Sequence, residues 1–285
     1  MNPIQKAISP TQIDENSFTA KGWTFGNGPV FGGLVLAQAI SSANATVADE
    51  SFELHSMHAY FLSPGDTEIP IDYFVDRNKD GRTFTARRVV ARQNDRDIFI
   101  MAASYHKVEK GFSHQKEMPD VPPPESLVDQ REIMKELAKK YGFEAMDWFK
   151  KSPAWQMPFE FKPIVAFDPF QPTKKAPKYA AWMRITEPMD QTPRIQKAMM
   201  ACFSDYQILL TSLMPHGASF FNGTKLTASI DHAMWFHRPI NMNEWVLYCT
   251  ESPNANEGLG FNTGSFFDQQ GNLLASVSQE GLIRL

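Results

Sequence analysis

The carboxylate of Asp205 draws attention because of the pattern around it. Ile195, Met199, Cys202, Tyr206, Leu209 and Leu213 recur at three- and four-residue steps and predict one apolar helical stripe. Asp205 falls on the flank of that stripe, one turn from Cys202 and Leu209. An acid beside an apolar face costs free energy unless it is hydrogen-bonded or works as a base. A surface or capping aspartate is the plainer reading of the same pattern. Ser229 and Gln279 are polar residues within strand patterns, where most such side chains face solvent. His58 and His232 are of the type that moves protons near neutral pH, and a satisfied structural histidine is the alternative for each.

Familiar nucleophile and metal motifs are missing. Gly26-Asn27-Gly28 resembles the start of a dinucleotide fingerprint, but Phe31 stands where its last glycine belongs and no strand pattern precedes it. The chain contains no GxSxG, HExxH, Walker sequence or EF-hand loop. Cys202 and Cys249 are the only cysteines and lie in no CxxC or Cys/His cluster, so no disulfide framework, metal or other cofactor is expected and a reducing compartment fits.

The elements that position these residues come as two similar units. GPVFGGLVLAQAISSA (28–43) predicts a helix, FELHSMHAYFLSPGD (52–66) a strand, and residues 76–107 two long strands around a turn at Asn94-Asp95. In the second half, Pro193 and Gly217 punctuate a helix, residues 225–241 read as a strand, and residues 260–285 as a closing hairpin turning at Gln270-Gly271. Setting Tyr60-Phe61 against Trp235-Phe236 aligns Pro64 with Pro239. The matching order implies a duplicated α+β unit. The proline run MPDVPPPES (118–126) breaks regular structure, and a charged connecting helix or two is expected after it. This divides the chain into units of 1–110 and 158–285, with a linker of 111–157.

The 285 residues carry 28 Lys and Arg against 32 Asp and Glu, a formal net charge of −4, so no basic field points to nucleic acid. No apolar run reaches the ~18–20 residues of a membrane span. The N-terminus lacks the apolar core of a secretory signal, and Ile283-Arg284-Leu285 is a poor match to a peroxisomal address, so a cytoplasmic location is expected.

Several longer stretches together resemble the type II acyl-CoA thioesterases, over nearly the whole chain. They are GPVFGGLVLAQAI, HAYFLSPGD with DGRTFTARRVVARQ, and HQKEMP; then the helical Ser204-Asp205, IDHAMWFHRP, NEWVLY and the terminal SQEGLIR. The resemblance implies a double hot-dog fold, in which each of two fused units wraps an antiparallel sheet around a long helix. It implies acyl-CoA as substrate and a homodimer or homotetramer. It also implies a water-activating set of Asp205, Ser229 and Gln279, with the catalytic residues in the second half and no covalent intermediate. Ser229 stands where some members carry threonine. His58 is left as a pocket residue, and Arg87, Arg88 and Arg238 as possible cations for the coenzyme A phosphates, with ordinary surface charge as the alternative. Two other functions fit the same bulk features. One is a hydratase or dehydratase of enoyl thioesters using Asp231-His232 as an acid–base pair, and the other is a non-catalytic acyl-CoA sensor.

Overall fold

Alternating apolar residues make strands that are buried on one side, and these pair edge to edge without interruption. The computed structural model describes residues 3–24, 28–143, 158–190 and 192–285. Among them, thirteen strands form one antiparallel sheet. Those of the first half are β1 (Thr11–Gln12), β2 (Ser17–Ala20), β3 (Phe52–Phe61), β4 (Ile71–Asp80), β5 (Phe84–Gln93) and β6 (Arg96–Lys107). Those of the second half are β7 (Phe159–Pro163), β8 (Lys178–Ile185), β9 (Leu226–Ser229), β10 (Asp231–Phe236), β11 (Val246–Asn256), β12 (Leu259–Asp268) and β13 (Leu273–Arg284).

Their order is β1-β2-β4-β5-β6-β3-β10-β13-β12-β11-β8-β7, with β9 beside β13. The second half of that order mirrors the first about the β3–β10 seam. At the seam His58 lies directly opposite Ala233, a separation in sequence of 233 − 58 = 175 residues, which is also the Pro64–Pro239 separation. The duplication read from the sequence is therefore a pseudo-two-fold fold, and the sheet runs unbroken from one unit into the other.

The α-helices among the described residues are α1 (Pro3–Ala7), α2 (Gly32–Ala45), α3 (Gln130–Tyr141), α4 (Pro193–Ser204) and α5 (Leu210–Leu213). α2 and α4 pack against each other, and their apolar residues share one core with the inner face of the sheet. α2 is apolar nearly all round, as a helix buried on all sides must be. Its one long polar side chain, Gln38, is satisfied by donating to the Ala7 and Lys21 carbonyls at 2.7 and 3.0 Å and accepting from Tyr73 at 2.5 Å.

Several boundaries differ from expectation. Asp76 to Asp80 complete β4, so the hairpin at Asn94-Asp95 joins β5 to β6, with both turn residues at positive φ as a tight two-residue turn requires. The helix expected from Pro193 to Gly217 stops at Asp205, Gln207 takes a left-handed φ of 61°, and the stripe resumes in α5. The strand expected at 225–241 is two strands, β9 and β10, broken at Ile230. Between the halves, the proline run lies as a strap against the sheet. Met118, Val121 and Leu127 cover Trp182, Trp245, Leu247 and Phe267 on the second half of the sheet, and the Trp182 indole donates to the Pro122 carbonyl at 2.9 Å. After α3, the expected continuation over 144–157 lies outside the described residues, as do Gly26 and Asn27. Among the described residues no helix is long and apolar enough to cross a membrane.

Candidate active site

α2 begins with two glycines that let other parts of the chain come close. A Cβ on Gly33 would sit 2.1 Å from the Cys202 carbonyl oxygen, and one on Gly32 would sit 2.8 Å from Asp205 Oδ2. With no side chain there, the N-terminus of α2 abuts the C-terminal end of α4. Asp205 caps that end, and its carboxylate faces the opening turn of α2. The first turn of a helix has spare N–H groups and a partial positive charge. Gly33 N–H is one group that favours the ionised carboxylate. Among the described residues the Gly32 N–H has no partner within the chain.

The sheet supplies the other polar groups through a register shift. Ser229 opposes Gly281 on β13, while Ala233 opposes Ser278, so four steps along one strand match three along the other. Strict alternation would send Ser229 and His232 to opposite faces of the sheet. The extra residue at the β9–β10 break brings both side chains toward Gln279. Ser229 Oγ donates to Asp205 Oδ1 at 3.1 Å, and Gln279 Nε2 donates to Ser229 Oγ at 3.0 Å. Gln279 Oε1 lies 2.5 Å from His232 Nδ1, and His232 Nε2 lies 2.8 Å from Ser204 Oγ. Gln279 is 1% exposed and His232 is 0% exposed, so this chain of contacts runs away from solvent into the core.

Burial pushes the Asp205 carboxyl above the ordinary carboxylate range. The charge on His232 when protonated, and the donors Ser229, Gly33 and Gln279, pull it back in that order. Burial pushes His232 below its ordinary value, and the negative charge of Asp205 opposes that shift in part. A carboxylate held by three donors in a poorly hydrated place is suited to accept a proton from a bound reactant.

Asp205, Ser229 and Gln279 line a cavity of about 790 Å³. Its other walls are mostly apolar, including Val30, Val35, Phe61, Phe99, Tyr179, Leu209 and Phe221. α3, from the connecting segment, contributes Gln130, Ile133 and Met134 from one face at three- and four-residue spacing. Sequence reasoning missed this wall, although the Ile133-Met134 pair on an otherwise charged helix was its signal. It also missed Gly32-Gly33, whose signal was a pair of glycines opening an apolar helix.

The structure brings the three candidate catalytic residues together and does not bring the four candidate substrate contacts to the cavity. Arg87 is the clearest correction. It is 2% exposed and spends its guanidinium on Thr46 Oγ1, the Thr46, Lys79 and Ala86 carbonyls, and Asp80. Arg88 lies at the surface beside Asp76, and Arg238 donates to the Leu273 carbonyl. His58 points away from the cavity and meets Trp235 edge to face at 5.3 Å. Asp231 and His232 do not form an acid–base pair at the cavity either. Asp231 accepts from Glu280 N–H, and His232 is not among the lining residues.

Known proteins resemble this chain over nearly its whole length. The family model for acyl-CoA thioesterase matches residues 150–282, and that for the acyl-CoA thioesterase N-terminal domain matches residues 19–106. The chain is 38% identical to acyl-CoA thioesterase 2 of Haemophilus influenzae, covering all of this chain and 98% of that protein. It is 32% identical to human acyl-coenzyme A thioesterase 8, over 99% of this chain and 89% of that one. An acyl-CoA thioesterase II from Mycobacterium marinum superposes with a TM-score of 0.79 at 31% identity, covering 99% and 98% of the two chains. A hot-dog protein from Alicyclobacillus acidocaldarius, 17% identical, superposes at 0.76 and shares the fold.

Proposed function

This chain belongs to the acyl-CoA thioesterase family, and we propose that it hydrolyses acyl-CoA to a free fatty acid and coenzyme A using a water held by Asp205, Ser229 and Gln279. The observation that supports the reading most is the convergence of these three side chains at the head of an apolar cavity, opposite the start of α2.

A thioester carbonyl is weakly resonance-stabilised, and its leaving thiolate belongs to a group with a pKa near ~8.5. The site then has two tasks, to place water and to stabilise the oxyanion. Asp205 takes the proton from water, while Ser229 and Gln279 fix the oxygen in line with the carbonyl carbon. The Gly32 N–H, at the positive end of α2, is the donor for the developing oxyanion. No side chain forms a covalent acyl intermediate.

The acyl chain extends between the sheet and α3, along Phe61, Ile133 and Met134. Among the described residues Asp205 is the only charged side chain lining the cavity, and on this reading the phosphates of coenzyme A stay outside it. This reading retains a cytoplasmic enzyme, with Cys202 and Cys249 as free thiols. It also retains a homodimer or homotetramer, for which the exposed Tyr60, Phe84 and Trp235 offer an apolar face that sedimentation would test.

Thiol release from acyl-CoAs of graded length, followed in the wild type and in Asp205→Asn, tests the proposal. Release in the wild type that vanishes in a folded variant is expected. Tight binding of acyl-CoA with no thiol release by the wild type would instead leave a sensor.

A further inference from the structure

The proposed reaction uses Asp205, Ser229 and Gln279 and leaves His232 without a task. A buried imidazole is costly to retain for packing alone, and at 0% exposure this one touches no substrate. Its two nitrogens join Gln279 to Ser204, and proton counting along that line constrains the site.

The Ser204 hydroxyl has one proton and two acceptors within reach, His232 Nε2 and the Ala201 carbonyl, each at 2.8 Å. If the proton goes to His232 Nε2, the neutral ring carries its own proton on Nδ1 and donates it to Gln279 Oε1. The Gln279 amide then points its N–H groups at Ser229 and Asp205. If Ser204 instead donates to Ala201, the neutral ring holds its proton on Nε2 and offers a lone pair at Nδ1. Gln279 must then turn over to satisfy that lone pair, placing its carbonyl oxygen beside the Asp205 carboxylate. Two acceptors would face each other there, and Ser229 would lose its donor.

We infer that His232 is a positioning residue, which, as the Nδ1–H tautomer, locks the Gln279 amide with its N–H groups toward Ser229, Asp205 and the bound water. The donor chain then runs in one direction, from Ser204 to His232, from His232 to Gln279, from Gln279 to Ser229 and from Ser229 to Asp205. The duplicated fold offers an internal contrast. Met57 is the matching residue of the first half, 175 positions earlier, where α2 is followed by Thr46 and not by an acid. A half with no carboxylate to serve has no amide to orient.

This inference rests on the water-holding role of Gln279, and the variants separate the two ideas. His232→Met removes the donor and puts the first-half residue in its place. His232→Asn restores an amide N–H close to the position of Nδ1. Thiol-release kinetics should show kcat down by ~10²-fold in His232→Met with KM little changed, the scale of a misplaced catalytic group. His232→Asn should recover most of that loss. In a Gln279→Ala background, His232→Met should cost nothing further, because a residue acting only through Gln279 has nothing left to orient. Multiplying losses in the double variant, or wild-type kcat in His232→Met while Gln279→Ala is impaired, would overturn the positioning role alone. Full activity in folded Gln279→Ala would overturn both ideas. Imidazole nitrogen NMR of the wild type, assigned by the signal missing in His232→Asn, reads the tautomer without relying on a folded variant. A proton on Nδ1 is expected, and a proton on Nε2 refutes the lock.

Discussion

Replacing Asp205 by asparagine separates chemistry from stability at one atom. The carboxylate accepts from Ser229 Oγ at 3.1 Å and is favoured by Gly33 N–H and Gln279. Asparagine keeps the size but offers one acceptor oxygen, so its NH₂ confronts at least one of these donors. It also cannot take a proton from water. Loss of a general base costs ~10²–10⁴-fold in kcat, which is about 2.7–5.4 kcal/mol of transition-state stabilisation at 1.36 kcal/mol per decade. Stability should move the other way. Burial raises the folded-state pKa of Asp205 above its unfolded value, so the folded protein binds the extra proton. Its contribution to stability is therefore full below the unfolded value of 3.8 and is lost as pH rises through the raised one. Wherever Asp205 is ionised, its buried charge is a liability that asparagine removes. The variant should melt at or above the wild-type temperature at pH 7 and lose that advantage in acid. The kcat/KM of the wild type should fall as pH falls through a point above 3.8, with apparent pKa values belonging to the Asp205–His232 pair. Thiol release across pH, beside calorimetry of both proteins, measures all of this. A folded variant with full kcat would refute the base assignment, and one with low kcat but a much lower melting temperature would show that Asp205 mainly holds α2 to α4.

Other perturbations reach different parts of the molecule. Ile133→Trp fills the α3 wall of the cavity, so kcat/KM for long acyl chains should fall ~10-fold or more while short ones are spared; an unchanged chain-length profile would remove α3 from the acyl path. Arg87→Leu strips four partners from Thr46, Lys79 and Ala86 and should cost about 2–3 kcal/mol in denaturant unfolding with KM for acyl-CoA unaltered. A raised KM at unchanged stability would return Arg87 to the substrate. Trp182→Ala empties the space beneath the proline strap and should cost about 3–5 kcal/mol. A loss below about 1 kcal/mol would mean that the strap lies loosely on the sheet.

Much of this architecture was legible along the chain because its causes are local. The apolar stripe of α4, the turn at Asn94-Asp95 and the largely apolar α2 each follow from burial at a fixed period or from backbone conformations that few residues adopt. The repeat was legible because equivalent segments keep their order. Asp205, Ser229 and Gln279 were named through resemblance, since no spacing relates a helix end to two strands 24 and 74 residues further on. Tertiary structure alone decided how these residues meet. The end of α4 at Asp205 meets the start of α2 in a close approach that Gly32 and Gly33 permit and that no local pattern announces. Whether Ser229 and His232 shared a face depended on one extra residue against β13, and a one-residue slip reverses every side chain. The position of Arg87 depended likewise on long-range packing, since its surroundings come from the end of α2 and the β4–β5 turn region. Periodicity records which face of an element avoids water, whereas a catalytic site is made where faces from distant elements touch, and that contact is set by register and packing.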